Sequence, residues 1–265
     1  LLTEDQLEFY KENGFIQLSN IFTSDEIDEI SEEYRTLFKM KSDADLDTTW
    51  GGEDMHKLAN QKKVTVSAIH NLQYHSAVFS RLMMNNNLLD ALEDVMDTPD
   101  ILLHHTKAHL KPPQKGAPYL MHQDYHYFPY KKHSMVAAFV HMEDTTPENG
   151  GLAVYPGSHK LGPLKDFGAA DSRGDPVHYA DPNKYPLSGA KPVYAKKGDV
   201  VIFSYLLLHG SYNNESDRTR GMFLMQVRAA DDEPTKEVHQ SVGRGFVLRG
   251  RNRKKDASMN SRFEH

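Results

Sequence analysis

The sequence predicts a β-sandwich or jelly roll with helices flanking it on the N-terminal side, and three features carry that reading. Helical periodicity dominates up to about residue 100 and then stops. From about residue 101 short β-prone runs follow one another: Ile101–His105, Met135–Met142, Leu152–Tyr155, Val200–Phe203, Leu206–His209 and Met222–Val227. Turn signals separate them, among them Asn149-Gly150-Gly151, Pro156-Gly157 and Lys197-Gly198-Asp199. Many short strands punctuated in this way suit a two-sheet all-β core.

The elements read in order as follows. Thr3 with Gln6 makes a capping box, Leu7 and Tyr10 share a helical face, and Gly14 suits the left-handed position past the last turn. Phe15-Ile16-Gln17-Leu18 alternates as a strand. A second capping box, Thr23 with Glu26, opens a helix whose Ile27, Ile30, Tyr34 and Phe38 fall on one face and read as core. Residues 41–70 are polar and irregular and hold the single Trp, Trp50, beside Gly51 and Gly52. Leu88, Leu89, Leu92, Val95 and Met96 mark a further helix that stops before Pro99. Residues 165–192, rich in Gly, Pro and Asp, have the length of a lid or a surface insertion. No repeat of solenoid or propeller period occurs. The chain is therefore read as one domain over 1–265: a mainly helical flank at 1–100, a jelly-roll core at 101–230 and a basic segment at 231–265.

Composition narrows the function. The 265 residues contain no Cys, which excludes disulfides, thiolate catalysis, iron–sulfur clusters and Cys-bound zinc. A net charge of −6, from 31 basic and 37 acidic residues, argues against nucleic acid as a partner. No apolar run reaches the ~18 residues of a membrane span, so no membrane partner is expected. The last residues, Arg-Phe-Glu-His, differ from a Ser-Lys-Leu peroxisomal address, and a cytoplasmic location is the expectation. The basic residues Arg244, Arg249, Arg251, Arg253, Lys254, Lys255 and Arg262 read as a solvated tail, or else as a contact for an anion.

Seven histidines fall between 104 and 141, and without Cys any metal site must use His and carboxylates. His122-Gln123-Asp124 is the informative pattern, because residues i and i+2 of an extended segment point the same way. His209, at the end of the run Leu206-Leu207-Leu208, is the best third ligand. Two His and one carboxylate form the facial triad of non-haem iron(II) oxygenases, which leaves positions for a bidentate co-substrate and dioxygen. A 2-oxo diacid also needs a cation for its far carboxylate. Arg220, at the mouth of the run Met222–Val227, offers a planar fork, and Ser211 a hydroxyl.

At this point the chain resembles the phytanoyl-CoA dioxygenase family. The motifs are Lys111-Pro112-Pro113, HQDYHYFPY from His122, ENGGLAVYPGSHK from Glu148, KGDVVIFSYLLLHGS from Lys197 and NNESDRTRG from Asn213. The resemblance runs from the opening LTEDQLEFYKENGFIQL to residue 228. It implies a double-stranded β-helix (jelly roll, cupin-like) core that carries Fe(II) with 2-oxoglutarate as co-substrate and consumes O2. It assigns iron to His122, Asp124 and His209, and the co-substrate's salt bridge to Arg220, eleven residues after the distal His, with a hydroxyl contact from Ser211. Further co-substrate contacts fall at His105 and His109, where relatives carry other residues, and at Phe139, where relatives often carry Trp. Lys107 and Tyr127 are candidates to face the substrate. Arg218 competes with Arg220, and the spacing favours Arg220.

The function so implied is hydroxylation, or another oxidation, of an unactivated C–H bond in a small molecule, with release of succinate and CO2. The family's substrates include acyl-CoA esters, amino-acid-like osmolytes and natural-product intermediates. A carboxylate at Asp124 favours hydroxylation, desaturation or cyclisation, since related halogenases carry a small residue there. Two other readings compete: a non-catalytic metal- or ligand-binding jelly roll, which would show an eroded triad, and a cupin-like hydrolase or isomerase, which would show HxH with a Glu. Neither pattern is present, and no HExxH occurs.

Overall fold

The computed structural model describes residues 1–41, 47–48, 67–114, 118–170, 176–236 and 241–254. Both capping boxes form. Gln6 N–H donates to Thr3 Oγ1 and Thr3 N–H to Gln6 Oε1 (3.2 and 2.9 Å), which starts α1 (Glu4–Asn13). Gly14 ends it at φ 79°, a conformation that costs a residue without Cβ little. Thr23 and Glu26 do the same for α2 (Ser24–Lys41), whose Ile27, Ile30, Tyr34, Leu37 and Phe38 are buried. Among the described residues the flank also holds α3 (Ala77–Met83) and α4 (Asn86–Met96). The sequence reading found α4 and missed the short α3.

Among the described residues the strands are, in chain order, β1 (Phe15–Leu18), β2 (Asp47–Thr48), β3 (Ser67–His70), β4 (Ile101–Lys111), β5 (Tyr119–His122), β6 (Val136–His141), β7 (Leu152–Val154), β8 (Ala169–Ala170), β9 (Pro176–Val177), β10 (Lys191–Pro192), β11 (Val200–Ser204), β12 (His209–Ser211), β13 (Arg220–Ala229) and β14 (Val247–Arg249). The major sheet runs β1-β11-β6-β13-β4-β3-β2, with β14 also paired to β4. The minor sheet runs β10-β7-β12-β5, and β8 pairs only with β9. The strand pairs are antiparallel, as a jelly roll requires.

Strand alternation decides what each face of the major sheet does. On β13, Phe223, Met225 and Val227 pack toward the helices, where Phe79 of α3 stacks on Phe223 at 5.9 Å. Arg220, Met222, Leu224 and Gln226 face the other way, into the space between the sheets. Phe15, Phe139, Leu152, Val154, Val201, Phe203 and Leu207 fill one end of that space with apolar side chains. The other end is left as a pocket.

Three expectations differ from what forms. The run expected at Ile101–His105 continues to Lys111, because His105, Lys107 and His109 occupy inward positions and hide the strand's apolar pattern. Leu206–Leu208 is a turn, not a strand: Leu207 N–H bonds Ser204 C=O at 2.9 Å, and pairing resumes only at His209. The run is apolar because it is buried between clusters. The basic C-terminal segment is docked over its described part. β14 pairs with β4, Arg249 forms ion pairs with Asp90 and Glu93 of α4 (2.5 and 2.7 Å), and Arg253 bonds Asp100.

The described part of 165–192 packs on the outer face of the minor sheet. Ala180 N–H bonds Met121 C=O at 2.8 Å, and Ala180 and Ala190 join an apolar cluster with Met121 and Leu208. Most of 41–70, the irregular stretch that holds Trp50, and residues 255–265 lie outside the described residues. No helix among the described residues is long and apolar enough to cross a membrane.

Candidate active site

The pairing of β5 with β12 sets the site. His122 and His209 are register partners, which brings their rings to a centroid distance of 4.3 Å. β5 ends at His122. Gln123 stays extended (φ −111°, ψ 133°), and Asp124 opens a 3₁₀ turn, so His122 and Asp124 share a side although the strand has ended. The intervening Gln123 points away and is fastened: its amide donates to Gly162 C=O and Leu206 C=O (2.9 and 2.7 Å) and accepts from Leu164 N–H (2.8 Å).

Asp124 Oδ1 lies 3.6 Å from Nε2 of both His122 and His209. Each Nδ1 faces a backbone carbonyl, Leu120 C=O at 2.8 Å and Leu207 C=O at 3.0 Å. Carbonyls only accept, so the Nδ1 atoms carry the protons and both Nε2 lone pairs face the carboxylate. The three ligand atoms lie within 4.8 Å of one another, the one such group among the described residues. Burial, with His122 alongside, pushes His209 down to about 4, so it is neutral near pH 7. Burial opposes ionisation of Asp124, but His209, His122 and Lys107 outweigh it and hold the carboxyl below its ordinary range. Two imidazole nitrogens and one carboxylate pointed at one spot fit a divalent transition metal.

Across the pocket Arg220 begins β13. It is 2% exposed, its Nε has no hydrogen-bond partner, and it makes no ion pair with a described carboxylate. A guanidinium stays charged when buried, so it is a cation awaiting an anion. Its register partner Lys111, 0% exposed, donates to Ser211 Oγ and Tyr212 C=O, both at 2.6 Å. Burial, then Arg220, presses the Lys111 ammonium well below its ordinary range. A metal-binding triad and a buried cation with a serine beside it are what iron and a 2-oxo diacid would need.

The family model for phytanoyl-CoA dioxygenase (PhyH) matches residues 10–222. The chain belongs to this family.

Members of the PhyH family are non-haem iron, 2-oxoglutarate-dependent oxygenases, and the triad is intact here. Rat peroxisomal phytanoyl-CoA dioxygenase (Rattus norvegicus) is 30% identical over 229 residues, 83% of this chain and 66% of its own length. The chain thus spans slightly under two thirds of that relative. A probable alpha-ketoglutarate-dependent hypophosphite dioxygenase of Stutzerimonas stutzeri is 26% identical over 88% of this chain and 81% of its own. Among solved structures, the epimerase SnoN with Fe3+, alpha ketoglutarate and nogalamycin RO superposes with a TM-score of 0.70 at 17% identity, covering 94% of this chain and 96% of that one. EctD from S. alaskensis with bound Fe gives 0.70 at 20% identity, covering 92% and 83%. These likenesses establish the jelly-roll fold.

All ten site residues expected from the sequence line one pocket that opens to solvent. His109 stacks on Tyr119 at 5.8 Å, and its buried Nε2 has no partner. Burial, then Lys107 and Arg220, keep it neutral. His105 reaches back to His104, Nδ1 to Nδ1 at 2.8 Å. Phe139 meets Phe203 edge-on at 4.7 Å, and Phe203 in turn lies 4.6 Å from the His209 ring. The Tyr127 hydroxyl accepts from His178 N–H at 3.0 Å.

Two residues were missed as site residues. Lys111 was visible only as the first residue of Lys-Pro-Pro, and its burial at the end of a long polar-faced strand could not be read from the motif. Gln226 lines the pocket and donates to Asp124 Oδ2. Its even spacing from Arg220 on one strand was the available signal.

Proposed function

We propose that this protein is an Fe(II)/2-oxoglutarate-dependent oxygenase that hydroxylates, or otherwise oxidises, an unactivated C–H bond of a small molecule, releasing succinate and CO2. The observation that carries the reading is the pairing, in one pocket, of the His122–Asp124–His209 triad with a buried Arg220 that has no anion. When bound, iron and 2-oxoglutarate supply the oxidising chemistry: dioxygen is consumed and one oxygen atom reaches the substrate.

The chain's own residues do the rest. His122, Asp124 and His209 grip the metal from one side and leave the other side open. Arg220 takes the far carboxylate of 2-oxoglutarate as a two-point ionic contact. Ser211 and Lys111 add donors, and once a dianion arrives the Lys111 ammonium regains a reason to be charged. His109, whose buried Nε2 has no partner, would offer that atom to the co-substrate, and His105 and Phe139 would border it as lining residues. Lys107 and Tyr127 face the remaining volume, where the substrate sits. An acyl-CoA ester, an amino-acid-like molecule or a natural-product intermediate remain the candidate substrates.

Anaerobic titration of metal-free protein with Fe(II) and 2-oxoglutarate tests this by the weak visible metal-to-ligand charge-transfer band. The band should weaken in Arg220→Ala and largely fail in Asp124→Ala. A folded wild type with no band would remove the oxygenase reading and favour a non-catalytic binding protein.

A further inference from the structure

We propose that Gln226 is a positioning residue that restricts Asp124 to one oxygen at the metal, and so keeps open the position the co-substrate needs. This rests on the proposed function above. A carboxylate beside a cation binds through one oxygen or chelates through both. In a facial triad the difference is one of the three remaining coordination positions. Here the two oxygens have different surroundings. Oδ1 is the atom equidistant, at 3.6 Å, from the two imidazole Nε2 atoms. Oδ2 accepts from Gln226 Nε2.

The direction of that bond is chemically fixed. An ionised carboxylate only accepts, so the NH2 of Gln226 must face it, and the amide cannot be flipped without a clash of lone pairs. Gln226 is 1% exposed, and its Oε1 is buried with no partner. The side chain leaves its own acceptor unsatisfied while its donor engages Asp124. A buried acceptor left without a partner calls for a reason beyond packing.

The fold aims this side chain deliberately. Gln226 sits on β13 of the major sheet, whereas Asp124 follows β5 of the minor sheet, so the bond spans the jelly roll. The β13–β4 pairing shifts register between Gln226 and Val227. Irregularities of that kind re-aim side chains next to functional sites.

The test uses the full chain loaded anaerobically with Mn(II), read by water-proton relaxation, and then titrated with 2-oxoglutarate. Gln226→Met keeps the length and removes the donor. With the restraint gone, Asp124 chelates, a bound water leaves, and the relaxivity per bound ion falls by about one third, one water of three. The 2-oxoglutarate Kd rises about tenfold, the worth of a hydrogen bond to a charged group, while the Mn(II) Kd stays within about threefold because a second oxygen replaces the lost support. Unchanged relaxivity and unchanged 2-oxoglutarate affinity would overturn the proposal. So would unchanged relaxivity with a loss of about 10–100-fold in metal affinity, which is what ordinary support of a ligand gives. If Gln226→Met does not fold, Gln226→Asn, whose amide falls short of Asp124, is read by the same criteria. A wild type that binds no Mn(II) would sink the parent reading instead, so the two failures are separable.

Discussion

Replacing Arg220 by Met should stabilise the ligand-free protein and, at the same time, ruin its response to 2-oxoglutarate. The structure supplies the sign of each effect. Arg220 is almost wholly buried, its Nε is unsatisfied, and its neighbour in register is another buried basic group, Lys111, whose ammonium is already pressed well below its ordinary range. Glu143 and Tyr34 act on it only at longer range, without an ion pair. The desolvation of a buried ion costs several kcal/mol, and an apolar residue of similar length removes it. With partial compensation from Glu143, the gain should be about 1–3 kcal/mol, and at about 2–4 °C per kcal/mol for a chain this size the melting temperature should rise by several degrees. Binding moves the other way. A carboxylate brought into this pocket without the guanidinium is itself an unpaired buried charge, a loss of about 3–5 kcal/mol, or at least about a hundredfold in Kd. The assay is thermal melting of metal-free and Mn(II)-loaded protein, with and without 2-oxoglutarate. Wild type should melt lower than the variant without ligand and gain stability on adding 2-oxoglutarate; the variant should gain almost none. A variant that melts lower than wild type yet keeps the 2-oxoglutarate shift would show that Arg220 is a structural cation, and the reasoning would fail.

Two further outcomes follow from other parts of the site. His141 is fully buried beside Arg220, and burial, then Arg220, pushes it down to about 4. The unfolded chain therefore binds the extra proton below about pH 6.5, so stability is full above that pH and is lost as pH falls toward 4, about 2 kcal/mol of it between about pH 7.5 and 5. Urea titrations of wild type and His141→Gln at both pH values check this, and equal pH slopes in the two proteins would refute it. Gly210→Ala places a Cβ 2.5 Å from Tyr119 C=O and 2.9 Å from Met121 Sδ, which forces β5 from β12. Overpacking of that kind costs about 1–3 kcal/mol, and because His122 and His209 face each other across this pairing, metal affinity measured by calorimetry should drop by at least about tenfold; wild-type affinity would contradict it.

How far the sequence discloses this molecule depends on which signal a residue leaves. Local chemistry is visible. Thr3 with Gln6 and Thr23 with Glu26 state their helix starts within four residues, and both boxes form as read. His122, Asp124, His209, Ser211 and Arg220 were found because their order and spacing carry a chemistry. Strand extent was harder. β4 continues through His105, Lys107 and His109 because the pocket makes its inner face polar, which erases the alternation that marks a half-buried strand. Conversely, Leu206–Leu208 looks like a strand and is a buried turn, since hydrophobicity reports burial and not backbone pairing. The basic segment looked like a solvated tail because its partners, Asp90, Glu93 and Asp100, lie some 150 residues away along the chain. Gln226 and Lys111 needed the fold itself. Nothing local tells a glutamine on a strand that a carboxylate from the opposite sheet will reach it.

The two sheets divide the work in a way that explains why the pocket lining carries more basic than acidic side chains. The minor sheet contributes His122 and His209, with Asp124 just beyond it, and these converge on one spot. The major sheet contributes Arg220 and Lys107 along β13 and β4, and Lys111 of β4 is tied to the lining residue Ser211. Among the described residues that line the pocket, Asp124 is the only carboxylate. A metal dication entering alone would add charge to a site already short of anions. A diacid entering alone would meet Arg220 but have nothing to chelate. Together they cancel, a charge of plus two against minus two, and the pocket keeps the net charge it had. Each ligand therefore lowers the electrostatic cost of the other, and by linkage the help is reciprocal. An isolated buried Arg220 is costly to the fold, and an anion arriving with the metal would offset that cost. That is the physical content of placing the ion's ligands on one sheet and the anion's cation on the other.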